Sequence, residues 1–167
     1  MLRYIIAMAF AFALVSCNNE KTTETTTEAQ TAQPATPDVP SLTSVPVDLL
    51  QRIFQHGTQV DYIYHYYPFT ASLNEKAAIQ NAVRHISEAP APSTSTCKPA
   101  GIVTYQIDGD IVLRADFYFE TNCTYFVFYD KDNNKYGNYM TKDGVDFFNN
   151  QIQQSLQLRN QVQQQQQ

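Results

Sequence analysis

The chain has 167 residues, with 11 basic and 16 acidic side chains and a net charge of −5. This length allows one domain of ordinary size. The acidic balance argues against nucleic acid as a partner, because phosphate binding requires clustered lysine and arginine.

The first 16 residues have the features of a secretory leader. Arg3 provides a positive start, and residues 4–15 (YIIAMAFAFALV) are an apolar run too short to span a bilayer. The run ends in the motif LVSC at residues 14–17, which resembles the lipobox of bacterial lipoproteins. The resemblance implies that Cys17 receives a diacylglyceryl group, that the leader is removed, and that the new amine is acylated.

This resemblance implies a lipoprotein that is anchored to a membrane of the cell envelope. Two or three acyl chains, at ~0.8 kcal/mol per buried methylene, hold a protein durably on a bilayer. In this family Asn18, rather than aspartate, after the cysteine favours the outer membrane, and the protein can face the periplasm or the cell surface. Attachment is expected through Cys17 alone, because no later apolar run has the length of a membrane span.

The composition after the leader predicts a tether, a domain and a tail. Residues 17–41 are rich in Thr, Glu, Gln, Ala and Pro, which predicts a flexible lipidated tether. Residues 42–158 are expected to form one domain. Residues 159–167 end in a run of five glutamines and are predicted to be a disordered tail.

The domain is predicted to begin with helices. In the first, Pro46 lies in the opening turn, Leu49 and Ile53 share one face, and Gly57 marks the end. Residues 60–67 contain many strand-forming side chains, yet their apolar positions also share one helical face. We expect a helix there, with a strand as the alternative.

A third helix is indicated by the S-x-x-E pattern of a capping box, formed by Ser72 and Glu75. Ile79 and Val83 follow it at helical spacing. This helix must stop before Pro90, because proline lacks the backbone donor that a helix interior requires.

From Gly101 onward the pattern becomes that of strands. The pair Asp108-Gly109 separates two runs of strand-forming residues, which is a strong signal for a hairpin turn. Residues 123–130 and 136–140 continue the pattern after further turn sequences. The segments are therefore expected to form an antiparallel meander.

The domain is predicted to close with a helix. Thr141 is its expected N-cap, and Val145, Phe148 and Ile152 lie on one face. The predicted fold is therefore α+β, a three- to four-stranded antiparallel meander with N-terminal helices and one C-terminal helix packed on the sheet.

Two cysteines remain once Cys17 is lipidated. Cys97 precedes the first strand of the meander and Cys123 opens the third, so the two are expected at the same edge of the sheet. An even pair in an oxidising compartment predicts a disulfide. Closing this loop contributes on the order of 3 kcal/mol in the chain-entropy model.

The sequence predicts no metal, no cofactor and no catalytic group. Asp130, Asp132 and Asn134 have the 1-3-5 spacing of a calcium loop, but Lys135 replaces the required glycine and Thr141 the required glutamate. A polar hairpin turn explains these residues better. The G-x-S-x-G motif of a nucleophile elbow is also missing, so enzymatic activity is unsupported.

The second strand of the meander predicts a contact surface. Its alternation assigns one face to the core, formed by Ile111, Leu113, Ala115, Phe117 and Phe119. The opposite face carries Arg114, Asp116 and Tyr118. A charged pair is costly to bury, so we expect this face to meet water, at least in part, and to contact an envelope protein or a glycan.

The leading hypothesis from the sequence is a membrane-anchored envelope lipoprotein that acts as a binding or structural module. One alternative is an envelope hydrolase, which a cleft with two close carboxylates or a serine–histidine pair would support. The other is an inhibitor or chaperone of another secreted protein, which an exposed apolar groove would support.

Overall fold

The computed structural model describes residues 40–164. The leader, Cys17 and nearly all of the expected tether lie outside the described residues. The described part consists of three helices and seven strands in the order α1 Val47–His56, β1 Gln59–Tyr64, β2 Thr70–Leu73, α2 Lys76–Arg84, β3 Ile86–Pro90, β4 Gly101–Ile107, β5 Asp110–Glu120, β6 Cys123–Asp130, β7 Lys135–Met140 and α3 Lys142–Gln164. Within this range, no helix combines the length and the apolar character needed to cross a membrane.

The strands form one sheet in the order β2-β1-β4-β5-β6-β7-β3, and every neighbouring pair is antiparallel. The predicted meander is the run β4 to β7 at its centre. At the first turn Asp108 and Gly109 have φ angles of 52° and 89°. Positive φ at both central residues is the geometry of a type I′ turn, which matches the twist of a hairpin.

All three helices pack on the same face of the sheet. Ile53 of α1, Ile79 of α2 and Phe148 of α3 are fully or almost fully buried in one apolar cluster with the inner side chains of the strands. Thr141 caps α3 as predicted, since its Oγ1 accepts a hydrogen bond of 3.2 Å from the Gly144 amide. The α+β class, the antiparallel sheet and the C-terminal helix are thus confirmed.

The prediction of a helix over residues 60–67 is wrong, because this segment contains strand β1. Val60 and Tyr62 are buried while Ile63 is exposed, which is the alternation of a strand with one covered face. β1 pairs with β2 on one side and with β4 on the other. The hydrogen bonds of these two pairings satisfy the backbone groups of β1. They decide for a strand in a segment whose local sequence was compatible with either a helix or a strand.

The prediction of a capping box at Ser72 and Glu75 is also wrong, although the helix that it indicated is present. Glu75 is the N-cap of α2, and no side chain caps it. Ser72 lies in β2 and its hydroxyl donates a hydrogen bond of 2.6 Å to the Asp61 carboxylate.

The sheet is larger than the expected three to four strands, because β1, β2 and β3 extend the meander at both edges. The C-terminal boundary differs too. Helix α3 continues past Leu158, the expected end of the domain, through the first part of the predicted tail to Gln164.

Ile111 does not face the core as expected. The register between β4 and β5 shifts between Tyr105 and Gln106, so β5 has one extra residue at Val112. This β-bulge reverses the alternation before Leu113, and Ile111 is 55% exposed on the other side of the sheet. Leu113 and Phe117, which follow the bulge, are fully buried as predicted.

Candidate functional site

The candidate site lies on the side of the sheet opposite the helices, which we call the outer face. Arg114, Asp116 and Tyr118 of β5 all point to this side, since the residues between them belong to the core. Arg114 has a 51% exposed side chain, and that of Asp116 is 20% exposed. None of the three lies beneath a helix, because the helices of residues 40–164 pack on the inner face.

Arg114 has contacts with two outer-face neighbours. Its Nη2 atom donates a hydrogen bond of 3.3 Å to Oδ1 of Asp116, which forms an ion pair. Its Cζ atom lies 6.0 Å from the ring centroid of Tyr129, within the range of a cation–π contact. An exposed pair of this kind contributes about 0–1 kcal/mol to stability, so these contacts do not explain the fold.

Tyr118 is stacked on Tyr125 of the neighbouring strand, with ring centroids 4.6 Å apart. Partial burial raises the pKa of Tyr118, and the nearby Tyr125 phenol and Asp116 carboxylate raise it further. The Tyr118 hydroxyl therefore stays protonated and available as a hydrogen-bond donor at neutral pH.

The outer face has a covered end and an open end. Over β6 and β7, a second apolar cluster contains Ala91, Tyr125 and Val127, with Leu42 packed against it. The Leu42 amide donates to the Ala91 carbonyl at 2.8 Å, which ties the start of the described chain to this cover. Arg114 and Asp116 lie beyond the cover, on the open part of the face.

A hollow of about 360 Å³ lies beside Arg114, and we call it the Arg114 hollow. The β5 bulge forms one wall and the turn between β6 and β7 forms another. Its lining residues are Ile111, Val112, Leu113, Arg114, Asp116, Tyr129, Asp130, Lys131 and Asn133. The predicted surface residues Arg114 and Asp116 thus line it, whereas Tyr118 does not.

The Asp130 carboxylate is engaged within the β6–β7 turn. It accepts hydrogen bonds from the amides of Asp132 and Asn134, the Asn134 side chain and the Tyr136 hydroxyl, at 2.8–3.1 Å. The Asn134 side-chain bond is the main cause that lowers the pKa of Asp130. These bonds are those of a polar hairpin turn, and among residues 40–164 no group of three His, Cys, Asp or Glu side chains is placed to hold a metal ion.

Cys97 and Cys123 lie at disulfide-bonding distance, with Cα atoms 6.5 Å apart. This separation is within the range of about 4.4–6.8 Å that a disulfide spans. Cys123 also packs against the outer-face apolar cluster. The pair therefore connects the loop before β4 to the same side of the sheet as Tyr118.

A polar network around Asp61 was missed by the sequence analysis. The Asp61 carboxylate accepts hydrogen bonds from the side chains of Gln59, Ser72 and Gln106 at 2.6–2.9 Å. The polar residues that alternate along β1 were a signal for it, but the expected helix placed them elsewhere. Because its oxygens already have protein donors, this carboxylate stabilises the strands rather than presenting a reactive group.

An apolar groove of about 500 Å³ was missed as well, and we call it the α3 groove. Residues 67–70, which lead into β2, form one side, and the last turns of α3 form the other. Leu158 and Val162 in this groove are 62% and 52% exposed. The expectation of a disordered tail from residue 159 concealed it.

Comparison with known proteins gives this chain no relative. No family model matches it, and no curated protein and no solved structure matches it either.

Proposed function

We propose that this protein is a lipoprotein of the cell envelope, held in the outer membrane by an acylated Cys17, that binds an envelope partner through the outer face of its sheet. The partner surface consists of Arg114, Asp116 and Tyr118. The proposed role is that of a binding module.

The lipid anchor rests on the sequence. The LVSC motif at residues 14–17 stands at the end of an apolar run of leader length, where the lipobox of bacterial lipoproteins stands. The expected tether that follows, residues 17–41, has the composition of a chain that gives a domain reach from the lipid surface.

The observation that carries the binding role is the outer face of β5. A charged pair and a tyrosine lie side by side on a strand whose opposite side packs into the core beneath the helices. Tyrosine and arginine are enriched where proteins bind partners, because each combines a large contact area with directional hydrogen bonds. The exposed pair adds little to stability, which leaves recognition as the use that fits its chemistry.

The anchor is tested by replacing the acceptor cysteine. Cells that express the wild type or Cys17→Ala are labelled with a radioactive fatty acid and fractionated. We expect label and membrane retention in the wild type and the loss of both in the variant. Ser16→Ala, a conservative change in the same motif, is the control that should keep both. A labelled, membrane-bound Cys17→Ala protein would overturn the anchor.

The partner surface is tested by crosslinking in intact cells, followed by capture of the full chain. The double variant Tyr118→Ala, Arg114→Ala should fold normally and lose the partner that the wild type captures. Lys142→Ala, which removes an exposed cation at the start of α3, is the control. Equal capture by the double variant and the wild type would show that the outer face only meets solvent.

The α3 groove favours a second candidate function, that of an inhibitor or chaperone for another secreted protein. Exposed apolar grooves of this kind accept apolar segments of other chains. Leu158→Asp should then abolish suppression of the aggregation of an unfolded secreted protein, while Gln157→Asp, the adjacent change, should preserve it. Suppression that is unaffected by Leu158→Asp would remove this candidate.

A further inference from the structure

The size of the Arg114 hollow limits what it can hold. Its volume of about 360 Å³ lies near the lower end of the range of ~300–1,000 Å³ that ligand sites occupy. It is open to solvent on the outer face of the sheet, so a unit of a longer molecule can enter it from outside. The hollow therefore fits a single group of ring size.

Two cations, Arg114 and Lys131, and two carboxylates, Asp116 and Asp130, line the hollow, so its formal charge is balanced. The part that suits an anion is the unused donor capacity of the Arg114 guanidinium. Among residues 40–164, the hydrogen-bond acceptor that the Arg114 guanidinium meets is Asp116, at 3.3 Å, which is long for this kind of bond. A guanidinium has five N–H donors in a fork that matches a carboxylate, so Arg114 has donors left for a ligand.

The two carboxylates in the lining have different roles. Asp130 keeps its negative charge, but its oxygens are occupied by four hydrogen bonds within the turn, so it makes no direct hydrogen bond to Arg114. Asp116 accepts one weak bond and retains lone pairs that can accept hydrogen bonds from a ligand. The hollow therefore presents charged hydrogen-bond donors and, beside them, a carboxylate that can accept further hydrogen bonds.

The remaining lining is suited to a ring with hydroxyl groups. Asn133 offers an amide that both donates and accepts, and Tyr129 and the exposed Ile111 provide apolar contact area. An acidic peptide side chain would use the two cations and would add no hydrogen bond to Asp116 or Asn133. A sugar ring with a carboxylate uses all of these groups.

We propose that the Arg114 hollow is a binding subsite for an acidic sugar residue of the hexuronic acid type. The carboxylate binds between Arg114 and Lys131, the ring hydroxyls donate to Asp116 and bond with Asn133, and the apolar side of the ring contacts Ile111. The inference names the ligand class for the outer face and so rests on the proposed binding function.

The test uses the purified full chain and three probes in saturation-transfer NMR titrations. Methyl glucuronide is the expected ligand, methyl glucoside is the same ring without the charge, and N-acetylglutamate amide carries the carboxylate on a peptide unit. We expect methyl glucuronide to bind saturably and the other two to bind at least about tenfold more weakly, since each lacks either the charged hydrogen bonds or the ring hydroxyls that the hollow would use.

Variants locate the binding. Arg114→Gln should reduce the affinity for methyl glucuronide about tenfold or more, and Lys131→Gln should reduce it less. Lys142→Gln, which neutralises an exposed cation at the start of α3, should leave it unchanged. Thermal unfolding of each variant verifies the fold. Because the Arg114 side chain is 51% exposed, Arg114→Gln should not disturb folding.

Each other outcome overturns the inference. Equal or tighter binding of N-acetylglutamate amide would assign the hollow to an acidic peptide, and equal binding of methyl glucoside would remove the role of the cations. No saturable binding of methyl glucuronide, or binding that survives Arg114→Gln, would also overturn it. If the Tyr118 and Arg114 double variant still abolishes partner capture in cells, the proposed function stands while this ligand class falls.

Discussion

The two faces of the sheet differ in chemistry, although they share the same strands. The inner face is apolar and aromatic, and three helices cover it with a single continuous core. The outer face carries a smaller apolar cluster under the segment around Leu42, and beyond it the polar groups around Asp61 and Arg114. This contrast assigns stability to the inner face and leaves the open part of the outer face available for recognition.

The largest effect is expected from Phe148 on the inner face. Phe148 is fully buried, and its ring centroid lies 4.7 Å from that of Phe117, 5.3 Å from that of Phe119 and 5.6 Å from that of Tyr62. Phe148→Ala should lower the free energy of unfolding by about 3–5 kcal/mol, as measured by urea denaturation. Arg114→Ala on the outer face should cost less than about 1 kcal/mol. Equal losses would break the assignment of stability to the inner face.

The next effect concerns the covered end of the outer face, where Cys97 and Cys123 meet. If they form a disulfide, the double variant Cys97→Ala, Cys123→Ala should lose about 3 kcal/mol of unfolding free energy, because the unfolded chain is no longer constrained. Intact mass after thiol blocking, with and without reductant, should show two alkylated cysteines only in the reduced sample. Two blocked thiols without reductant would disprove the bond.

A third prediction concerns Asn138, a buried polar residue of the sheet. Its Oδ1 atom accepts from the Val45 amide and its Nδ2 atom donates to the Ser87 carbonyl, each at 2.9 Å. Asn138→Ala leaves both backbone groups without a partner and should cost about 2 kcal/mol in urea denaturation. Asn149→Ala, the same change at an exposed helix position, should cost almost nothing. Similar costs at both positions would contradict the structural role of Asn138.

The smallest effect is a pH dependence that originates at His85. Burial lowers the pKa of His85 from its ordinary value of 6.5, and the nearby Asp143 carboxylate opposes this shift in part. As the pH falls through 6.5, the unfolded chain takes up a proton that the folded chain resists, so stability decreases by at most about 1.4 kcal/mol per pH unit from this group. Above that pH this group contributes no dependence.

This prediction is checked by measuring the free energy of unfolding between pH 7.5 and 5 for the wild type and for His85→Phe. In the wild type the ring centroids of His85 and Phe147 are 4.8 Å apart, and the phenylalanine ring of the variant preserves this aromatic contact. The stability of His85→Phe should depend less on pH than that of the wild type. The control His56→Gln, at an exposed position, should have the same pH dependence as the wild type. A loss of stability in His85→Phe as steep as that of the wild type would exclude His85 as the source.

Local signals predicted some elements well. The hairpin at Asp108-Gly109, the first helix up to Gly57 and the cap of α3 at Thr141 were all predicted correctly. In each case the physical cause is local, since turn geometry, helix periodicity and a capping side chain act within a few residues. The core positions Leu113 and Phe117 followed from alternation for the same reason.

Other features depended on partners far along the chain. The sequence of residues 60–67 is compatible with a helix or a strand, and pairing with β2 and β4 makes it a strand. Ser72 and Glu75 matched a capping box, but Ser72 found Asp61 across the sheet instead. β3 and β2 are short and half polar, so their periodicity was too brief to detect.

For the candidate site, the sequence by itself determined that Arg114, Asp116 and Tyr118 share a face, because residues alternate between the two faces along a strand segment without a bulge. The resemblance of LVSC at residues 14–17 to a lipobox likewise depends on no fold, and lipidation of Cys17 stays a prediction from the sequence. Only the tertiary structure decided that the helices cover the opposite face, that a bulge turns Ile111 outward, and that the β6–β7 turn places Lys131 in the lining of the Arg114 hollow. These are contacts between residues far apart along the chain, and they arise when the whole sheet assembles.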